Sequence, residues 1–175
     1  MTSERLCREV ASICVGLVER ELDGTRAALT AGTRVFRRHR LTGARGEAAS
    51  GYAIVRTVAL PVYHRLRMDG VGEDLALLQV LLHLLAVNPD TNLVSRGGLP
   101  GLNYVRAYAR DLLRESGALA PDGVTKMAAF DDALIARYLS PGGGADLLAV
   151  TWFLAQFPTH RRQVGECSTS GERHR

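Results

Sequence analysis

The sequence predicts an all-α domain, and two observations carry that prediction. Apolar residues recur at spacings of three and four along most of the 175-residue chain, which is the period of an amphipathic helix. No segment shows a sustained alternation of β-branched residues bounded by hairpin turns. Proline and glycine divide the chain into about seven predicted helices that form a single bundle: residues 3–22, 25–38, 50–66, 73–86, 99–115, 122–139 and 145–157.

The first three helices are predicted from apolar stripes and one proline. In the first helix, the spacing places six side chains on one face: Leu6, Val10, Ile13, Cys14, Leu17 and Val18. The second predicted helix, 25–38, leads into a basic run. Pro61 lies inside the third predicted helix, 50–66, and is expected to bend or interrupt it because proline has no backbone N–H.

The fourth predicted helix is expected to be the central one. Glu73 and Asp74 open it, where acidic residues favour the positive end of the helix dipole, and Asn88-Pro89 ends it. Its side chains are apolar nearly all round, which is typical of a buried helix. The last three predicted helices end near residues that break helices: Gly117, Pro141 and Pro158.

Composition is that of one soluble domain. Hydrophobic residues make up 46% and charged residues 23%, with a net charge of +4, which excludes collagen-like, acidic disordered and disulfide-scaffold classes. Three cysteines without metal-like spacing favour a reducing compartment, and the most apolar stretch, 75–87, is far below the ~20 residues of a membrane span. The acidic N-terminus is unlike a signal peptide, so a cytoplasmic protein is expected. Residues 1–159 form the predicted domain, and 160–175 a polar, disordered tail.

Basic residues cluster before the first glycine-rich segment: Arg34, Arg37, Arg38, His39, Arg40 and Arg45. Such a cluster could bind nucleic acid or a compact anionic ligand such as a phosphate-bearing metabolite. The first alternative is disfavoured because aromatic residues are only 6% of the chain and no zinc or RNA-binding signature is present.

Three glycine-rich segments, 42–48, 88–98 and 140–146, are predicted as loops that carry the site. In the third, Gly142–Gly144 precede a helix, so that their backbone amides could approach a phosphate at the helix N-terminus. The alternative is a flexible connector in which Asp146 is an acid of the first helical turn.

The other two loops combine glycine with charged residues. In 88–98, Asp90 and Asn92 could bind a divalent cation or a sugar hydroxyl, and Arg96 could bind phosphate; the alternative is an Asx-turn with Arg96 on the surface. In 42–48, Glu47 beside Arg45 could be a general base or hydroxyl anchor, or the two could form an exposed ion pair.

Together, three strings identify a family. TGARGEAASGYAIVRTVALP, LLHLLAVNPDTNLVSRGGLPGL and MAAFDDALIARYLSPGGGADLLAVTWFLAQFP resemble the triphosphoribosyl-dephospho-coenzyme A synthase family. The resemblance runs from about Leu6 to Pro158 and is closer to the malonate decarboxylase accessory branch than to the citrate lyase branch. It implies that ATP and 3′-dephospho-coenzyme A react to give 2′-(5″-triphosphoribosyl)-3′-dephospho-coenzyme A and adenine. This product is the prosthetic-group precursor for an acyl-carrier subunit.

The resemblance favours a ligand site over a bare turn at all three loops. Glu47 or Asp90 is expected to act as base or to stabilise the oxocarbenium-like centre, and the sequence does not choose between them. Mg²⁺ is expected with the triphosphate, with Asp90 and Asp146 as candidate ligands. Phosphates and sugar hydroxyls are assigned to a further set: Arg45, Asn92, Arg96, Gly97, Gly98, Ser140, Gly142, Gly143 and Gly144.

Two features depart from the family pattern. Gly144 stands where serine is usual, which removes a hydroxyl but keeps the backbone amide. The family's Pro-Lys-Pro-Gly, His-x-Asp-Met and Thr-His-Lys-Gly motifs have no counterpart in the sequence. We therefore expect a chain that lacks the family's N-terminal portion and exposes apolar helix faces, favouring self-association or pairing with a separate N-terminal fragment. A nucleotide- or coenzyme-binding remnant without turnover is the alternative to an active enzyme.

Overall fold

The computed structural model describes residues 1–23 and 30–158, and these form α-helices and turns without a strand. The all-α prediction is confirmed, and the predicted tail, 160–175, lies outside the described residues. No helix in the described part is long and apolar enough to cross a membrane. Within residues 1–23 and 30–158, eight α-helices follow one another: α1 Ser3–Ile13, α2 Ala31–His39, α3 Gly43–Ala49, α4 Leu60–Met68, α5 Glu73–Val87, α6 Thr91–Arg114, α7 Gly123–Ile135 and α8 Gly142–Ala155.

Helix α5 lies at the centre of the bundle, as its composition predicts. One face, including Leu82 and Leu85, packs in a hydrophobic cluster with α2, α6 and α7. Another face, including Val80 and Leu84, packs in a second cluster with α1, α4 and α8. A helix with neighbours on both sides has no solvent face to keep polar, which explains its nearly uniform apolar surface.

Several predicted helices are shorter than the apolar pattern suggests. The first ends at Ile13 because Gly16 adopts φ +69°, a left-handed conformation that stops the helix, and Glu19–Asp23 forms a separate π-helical turn. Residues 25–29 of the second predicted helix lie outside the described part. The sixth, predicted to reach residue 139, ends at Ile135, and Tyr138 takes φ +56°.

Pro61 interrupts the third predicted helix as expected. It lies in the first turn of α4 and follows a π-helical turn, Val55–Ala59. Since proline cannot donate to the preceding turn, the wider turn relieves the clash of its ring with that turn's carbonyl.

The prediction that the three glycine-rich segments are loops is largely wrong, because each segment contains the start of a helix. Segment 42–48 forms α3, which is the additional helix beyond the seven predicted. Segment 88–98 holds the first turns of α6, which begins at Thr91 rather than residue 99. In segment 140–146, α8 begins at Gly142, so the three glycines form a helical turn. Glycine's low helix propensity is overridden here by tertiary packing.

Helix α6 is kinked at Gly98, where φ is 64° and ψ is −167°, just before Pro100. On either side of the kink, Gly97 and Gly101 make room for the buried side chain of Leu139. A methyl group at either glycine would lie only 2.6 or 3.0 Å from Leu139 Cδ2. The predicted phosphate ligand Gly97 is thus in close packing contact with the segment that leads into α8.

A double-mutant cycle tests this contact. Gly97→Ala is expected to destabilise the fold by about 1–3 kcal/mol through overpacking. In a Leu139→Ala background, itself about 2–4 kcal/mol less stable, the added cost of Gly97→Ala should fall by about 1 kcal/mol or more. The helix preference of alanine is common to both backgrounds and cancels. The measurement is the free energy of unfolding in urea.

The control background is Leu119→Ala, a partly exposed leucine beyond the far end of α6. There the effect of Gly97→Ala should add without coupling. Equal costs of Gly97→Ala in the unmodified chain and in the Leu139→Ala variant would contradict the contact.

Candidate functional site

A cavity of about 410 Å³ lies where the N-terminal ends of α2, α3, α6 and α8 meet. All three predicted glycine-rich segments line it: 42–48, 88–98, and 140–146 through Gly143 and Asp146 in the first turns of α8. The polar residues on its wall lie in the first turns of these helices or in the residues that flank them: Thr30, Thr42, Arg45, Glu47, Asn88, Asp90, Thr91, Asn92, Ser95 and Asp146.

Asp90 joins α6 to α8 through its carboxylate. It is the N-cap of α6, where Oδ1 accepts the backbone N–H of Asn92 at 2.8 Å and that of Leu93 at 3.4 Å. Oδ2 accepts the N–H of Gly144, in the first turn of α8, at 2.9 Å. A single side chain, only 2% exposed, therefore satisfies orphan donors at two helix N-termini.

Burial dominates the ionisation of Asp90. Desolvation raises its pKa above the ordinary 3.8, and the backbone N–H groups of α6 and α8 lower it by a smaller amount. The carboxyl thus holds its proton more tightly in the folded chain than in the unfolded one.

The three glycines of α8 fit against this carboxylate. A methyl group at Gly143 would lie 3.0 Å from Asp90 Cγ, and one at Gly142 would lie 2.6 Å from Asn92 Nδ2. One at Gly144 would lie 2.8 Å from a terminal carbon of Leu85 on α5. The run of glycine is therefore explained by the close approach of α8 to α6, and Gly143 lines the cavity as well.

Glu47 is a second carboxylate at the cavity, on α3. It is half-buried, and its Oε2 accepts the N–H of Ile54 at 3.2 Å. Burial raises its pKa above the ordinary 4.5, while the Ile54 N–H and the charge of Arg56 lower it less. Its Oε1 accepts no hydrogen bond from the described residues. Glu47 therefore has an oxygen that a ligand hydroxyl can use.

Arg45 lies on the same short helix as Glu47. Its Nε donates to Oε2 of Glu21 at 2.5 Å, so the predicted Arg45–Glu47 ion pair is not formed, and Glu21 takes that place. A methyl group at Gly32, in the first turn of α2, would lie 3.6 Å from Arg45 Nη1. The guanidinium thus spans from α3 to α2.

The remaining predicted residues separate into two groups. Asn92, Gly143 and Asp146 lie at the cavity with Arg45, Glu47 and Asp90, whereas six predicted residues do not line it: Arg96, Gly97, Gly98, Ser140, Gly142 and Gly144. Arg96 and Ser140 are exposed. Gly98 lines an adjoining cavity.

Sequence reasoning missed the hydroxyl side chains at the cavity. Thr30 caps α2 in a reciprocal pair with Thr33, and Thr42 immediately precedes α3. The Thr-x-x-Thr spacing before α2 is a helix-start signal that could have located the first of these.

Among the described residues, no three histidine, cysteine, aspartate or glutamate side chains group closely enough to hold a metal by themselves. Both oxygens of Asp90 accept backbone N–H groups, whereas Asp146 is exposed on the cavity wall. The predicted Asp90–Asp146 pair therefore leaves only Asp146 without a described backbone partner, and a single carboxylate can bind Mg²⁺ where phosphates supply the other ligands.

Comparison with known proteins identifies the family. The model of the ATP:dephospho-CoA triphosphoribosyl transferase family matches residues 1–164. The chain belongs to this family. It is 56% identical over 155 residues to a 2-(5''-triphosphoribosyl)-3'-dephosphocoenzyme-A synthase of Klebsiella pneumoniae, covering 88% of this chain and 51% of the relative. A protein of the same name from Escherichia fergusonii is 54% identical over 160 residues, covering 90% and 53%.

The chain thus spans about half the length of these triphosphoribosyl transferase relatives. No solved structure matches it. The family assignment from the three motif strings is confirmed, while the individual roles of the predicted site residues remain predictions.

Asp90→Asn tests the junction of α6 and α8. The amide replaces one oxygen by an NH₂ group that cannot accept a hydrogen bond, whereas the hydroxyl oxygen of the neutral acid still can, so a loss of about 1–3 kcal/mol of unfolding free energy is expected. The loss should be larger at acid pH than at neutral pH. The raised pKa makes the contribution of Asp90 to stability greatest below its unfolded value of 3.8, and this contribution falls as pH rises through the folded pKa.

The control is Asp146→Asn at the same cavity, where an exposed side chain should change stability by less than about 0.5 kcal/mol. Urea denaturation of all three chains across the acid range is the measurement. A penalty for Asp90→Asn that does not shrink with rising pH would contradict the buried-carboxylate account.

Proposed function

We propose that this cavity binds ATP and 3′-dephospho-coenzyme A and forms 2′-(5″-triphosphoribosyl)-3′-dephospho-coenzyme A with release of adenine. The observation that carries the proposal is the convergence of helix N-termini with Arg45 around a cavity that also presents Glu47. A triphosphate needs positive potential and N–H donors, and the reaction at ribose needs a base. The names of the two relatives support the same reaction.

The anionic part of ATP is assigned to the ends of α2 and α6. The backbone N–H groups of Ala31, Gly32 and Thr91 lie in first helical turns at the cavity wall and donate no hydrogen bond within the described residues. Orphan amides at a helix N-terminus bind phosphate readily, because the dipole and the donors act in the same direction. Arg45 adds a guanidinium whose Nε is paired with Glu21 and whose Nη1 lies beside Gly32, where it can donate to phosphate.

The reaction exchanges one bond at C1 of the ATP ribose. The 2′-hydroxyl oxygen of dephospho-coenzyme A forms a bond to C1 as the bond from C1 to adenine breaks; adenine leaves with the bonding electrons and takes a proton from solvent water, to which Glu47 later returns the proton of the hydroxyl. Glu47 accepts the proton of the attacking hydroxyl. Its negative charge also stabilises positive charge that develops at C1, as carboxylates do in glycoside chemistry.

Asp90 is then a positioning residue rather than the base. Both of its oxygens are held by backbone amides of α6 and α8, whereas Glu47 keeps one oxygen without a described partner. Asp146 would hold Mg²⁺ together with the substrate phosphates. When bound, the ion neutralises triphosphate charge.

Two finer assignments accompany the proposal. The motif strings are more similar to the malonate decarboxylase branch, so we assign the product to that enzyme's acyl-carrier subunit; the check is which enzyme subunits the neighbouring reading frames encode. Self-association through exposed apolar side chains such as Ile135 and Tyr138 stays a prediction, measured by light scattering.

Glu47→Gln tests the base. Turnover, measured as free adenine together with the coupled product by chromatography and mass detection, should fall by about 10²–10⁴-fold. ATP affinity, measured by calorimetry, should change little because the triphosphate contacts remain.

The matched control is Glu115→Gln, at the opposite end of α6, where Glu115 pairs with Lys126. It should keep normal turnover. Near-normal turnover in Glu47→Gln would exclude Glu47 as base. Nucleotide binding without adenine release by the unmodified chain would instead favour a non-catalytic binding module.

The pH profile gives an independent check of the same residue. A base must be deprotonated, so kcat/KM should rise with pH through the pKa of Glu47, and burial places that limb above the ordinary 4.5. Ionisation of the substrates affects wild type and Glu47→Gln alike. The ratio of wild-type to variant kcat/KM should therefore vary with pH only through the ionisation of Glu47. A ratio that does not vary with pH would contradict the assignment.

A further inference from the structure

A second cavity, of about 560 Å³, adjoins the first along α2 and the kink of α6. The two cavities share Ala31 and Ser95 on their walls. We call this second cavity the α2–α6 groove. A ligand bound in it would reach the candidate catalytic cavity at the shared residues.

One side of the groove is strongly basic. Arg34, Arg38 and His39 line it, and no acidic residue is among the described residues that do so. Cations at the end of α2 also complement the helix dipole, a role that Arg37 can serve without lining the groove. Arg38 forms no ion pair with a described residue, so its charge is available to an anionic ligand.

The other side of the groove is apolar. Val94 and Pro100 lie on either side of the Gly98 kink, with Leu99 between them and 41% exposed. The left-handed conformation of Gly98 changes the direction of α6 here and presents Leu99 at the groove. Basic and apolar walls that face a single groove suit a ligand with phosphate groups and a long uncharged arm.

We propose that the α2–α6 groove binds the pyrophosphate and pantetheine arm of dephospho-coenzyme A. The proposal rests on the proposed function, which places ATP in the first cavity. Arg38 binds the pyrophosphate and Leu99 contacts the arm, so that the ribose hydroxyl lies near Ser95, at the junction of the two cavities. The basic cluster noted in the sequence is thereby divided: Arg45 serves ATP and Arg38 serves the second substrate.

The test compares two neighbouring arginines. Arg38→Ala should lower the affinity for dephospho-coenzyme A by about ten- to a hundredfold, as expected for loss of a charged contact to phosphate. ATP affinity should stay unchanged. Arg37→Ala removes the same charge from the same helix outside the groove, and should leave both affinities unchanged. Calorimetric titration of the 175-residue chain measures both ligands.

A second variant and a shorter probe distinguish the contribution of the basic wall to binding from that of the apolar wall. Leu99→Ala should weaken the binding of dephospho-coenzyme A and of 4′-phosphopantetheine, a probe that carries the arm and one phosphate. It should leave the binding of inorganic pyrophosphate unchanged. Arg38→Ala should weaken the binding of all three ligands, because each carries phosphate. Leu99 is exposed, so its replacement should not impair folding.

The outcomes distinguish this inference from the proposed function. If the unmodified chain binds ATP and Arg38→Ala leaves the affinity for dephospho-coenzyme A unchanged, the groove assignment alone is overturned. Binding of neither nucleotide to the unmodified chain overturns the proposed function and the groove assignment with it. Salt-dependent binding of duplex DNA that Arg37→Ala and Arg38→Ala weaken equally would overturn the groove assignment in favour of a nucleic-acid surface.

Discussion

The structure depends on one buried carboxylate. Asp90 accepts N–H groups from the first turns of α6 and α8, and the two helix N-termini can approach each other closely because one buried side chain satisfies donors of both. The three glycines of α8, the start of α6 and the shape of the cavity all follow from that approach. Burying the carboxylate has a cost, visible as its raised pKa.

The hydrogen bonds of Asp90 also distinguish it from Glu47, the other candidate carboxylate. Chemical type alone could not choose between Glu47 and Asp90, because both are acids in glycine-rich segments. The difference lies in hydrogen bonds over long sequence separation, such as that from Gly144 to Asp90. Glu47 is held by one backbone N–H only, which leaves it suited to contact a substrate.

Local sequence patterns predicted much of the fold and less of the site. The all-apolar surface of α5 and the interruption at Pro61 were predictable from the local sequence, because both are properties of a single segment. The helical state of Gly142–Gly144 was not, since glycine disfavours helices unless a partner approaches closely. The motif strings located segments that meet at one cavity, but Gly97 packs against Leu139, and only the folded chain shows this contact.

The position of α5 has a consequence for how the chain unfolds. Leu82 and Leu85 belong to one hydrophobic cluster, and Val80 and Leu84 belong to the other. Both clusters need α5 to stay helical, since helical geometry is what places these residues on its two faces, so loss of this helix would disrupt both. The two sides of the bundle are therefore expected to unfold as one cooperative unit, with the amides of α5 opening only in the global transition.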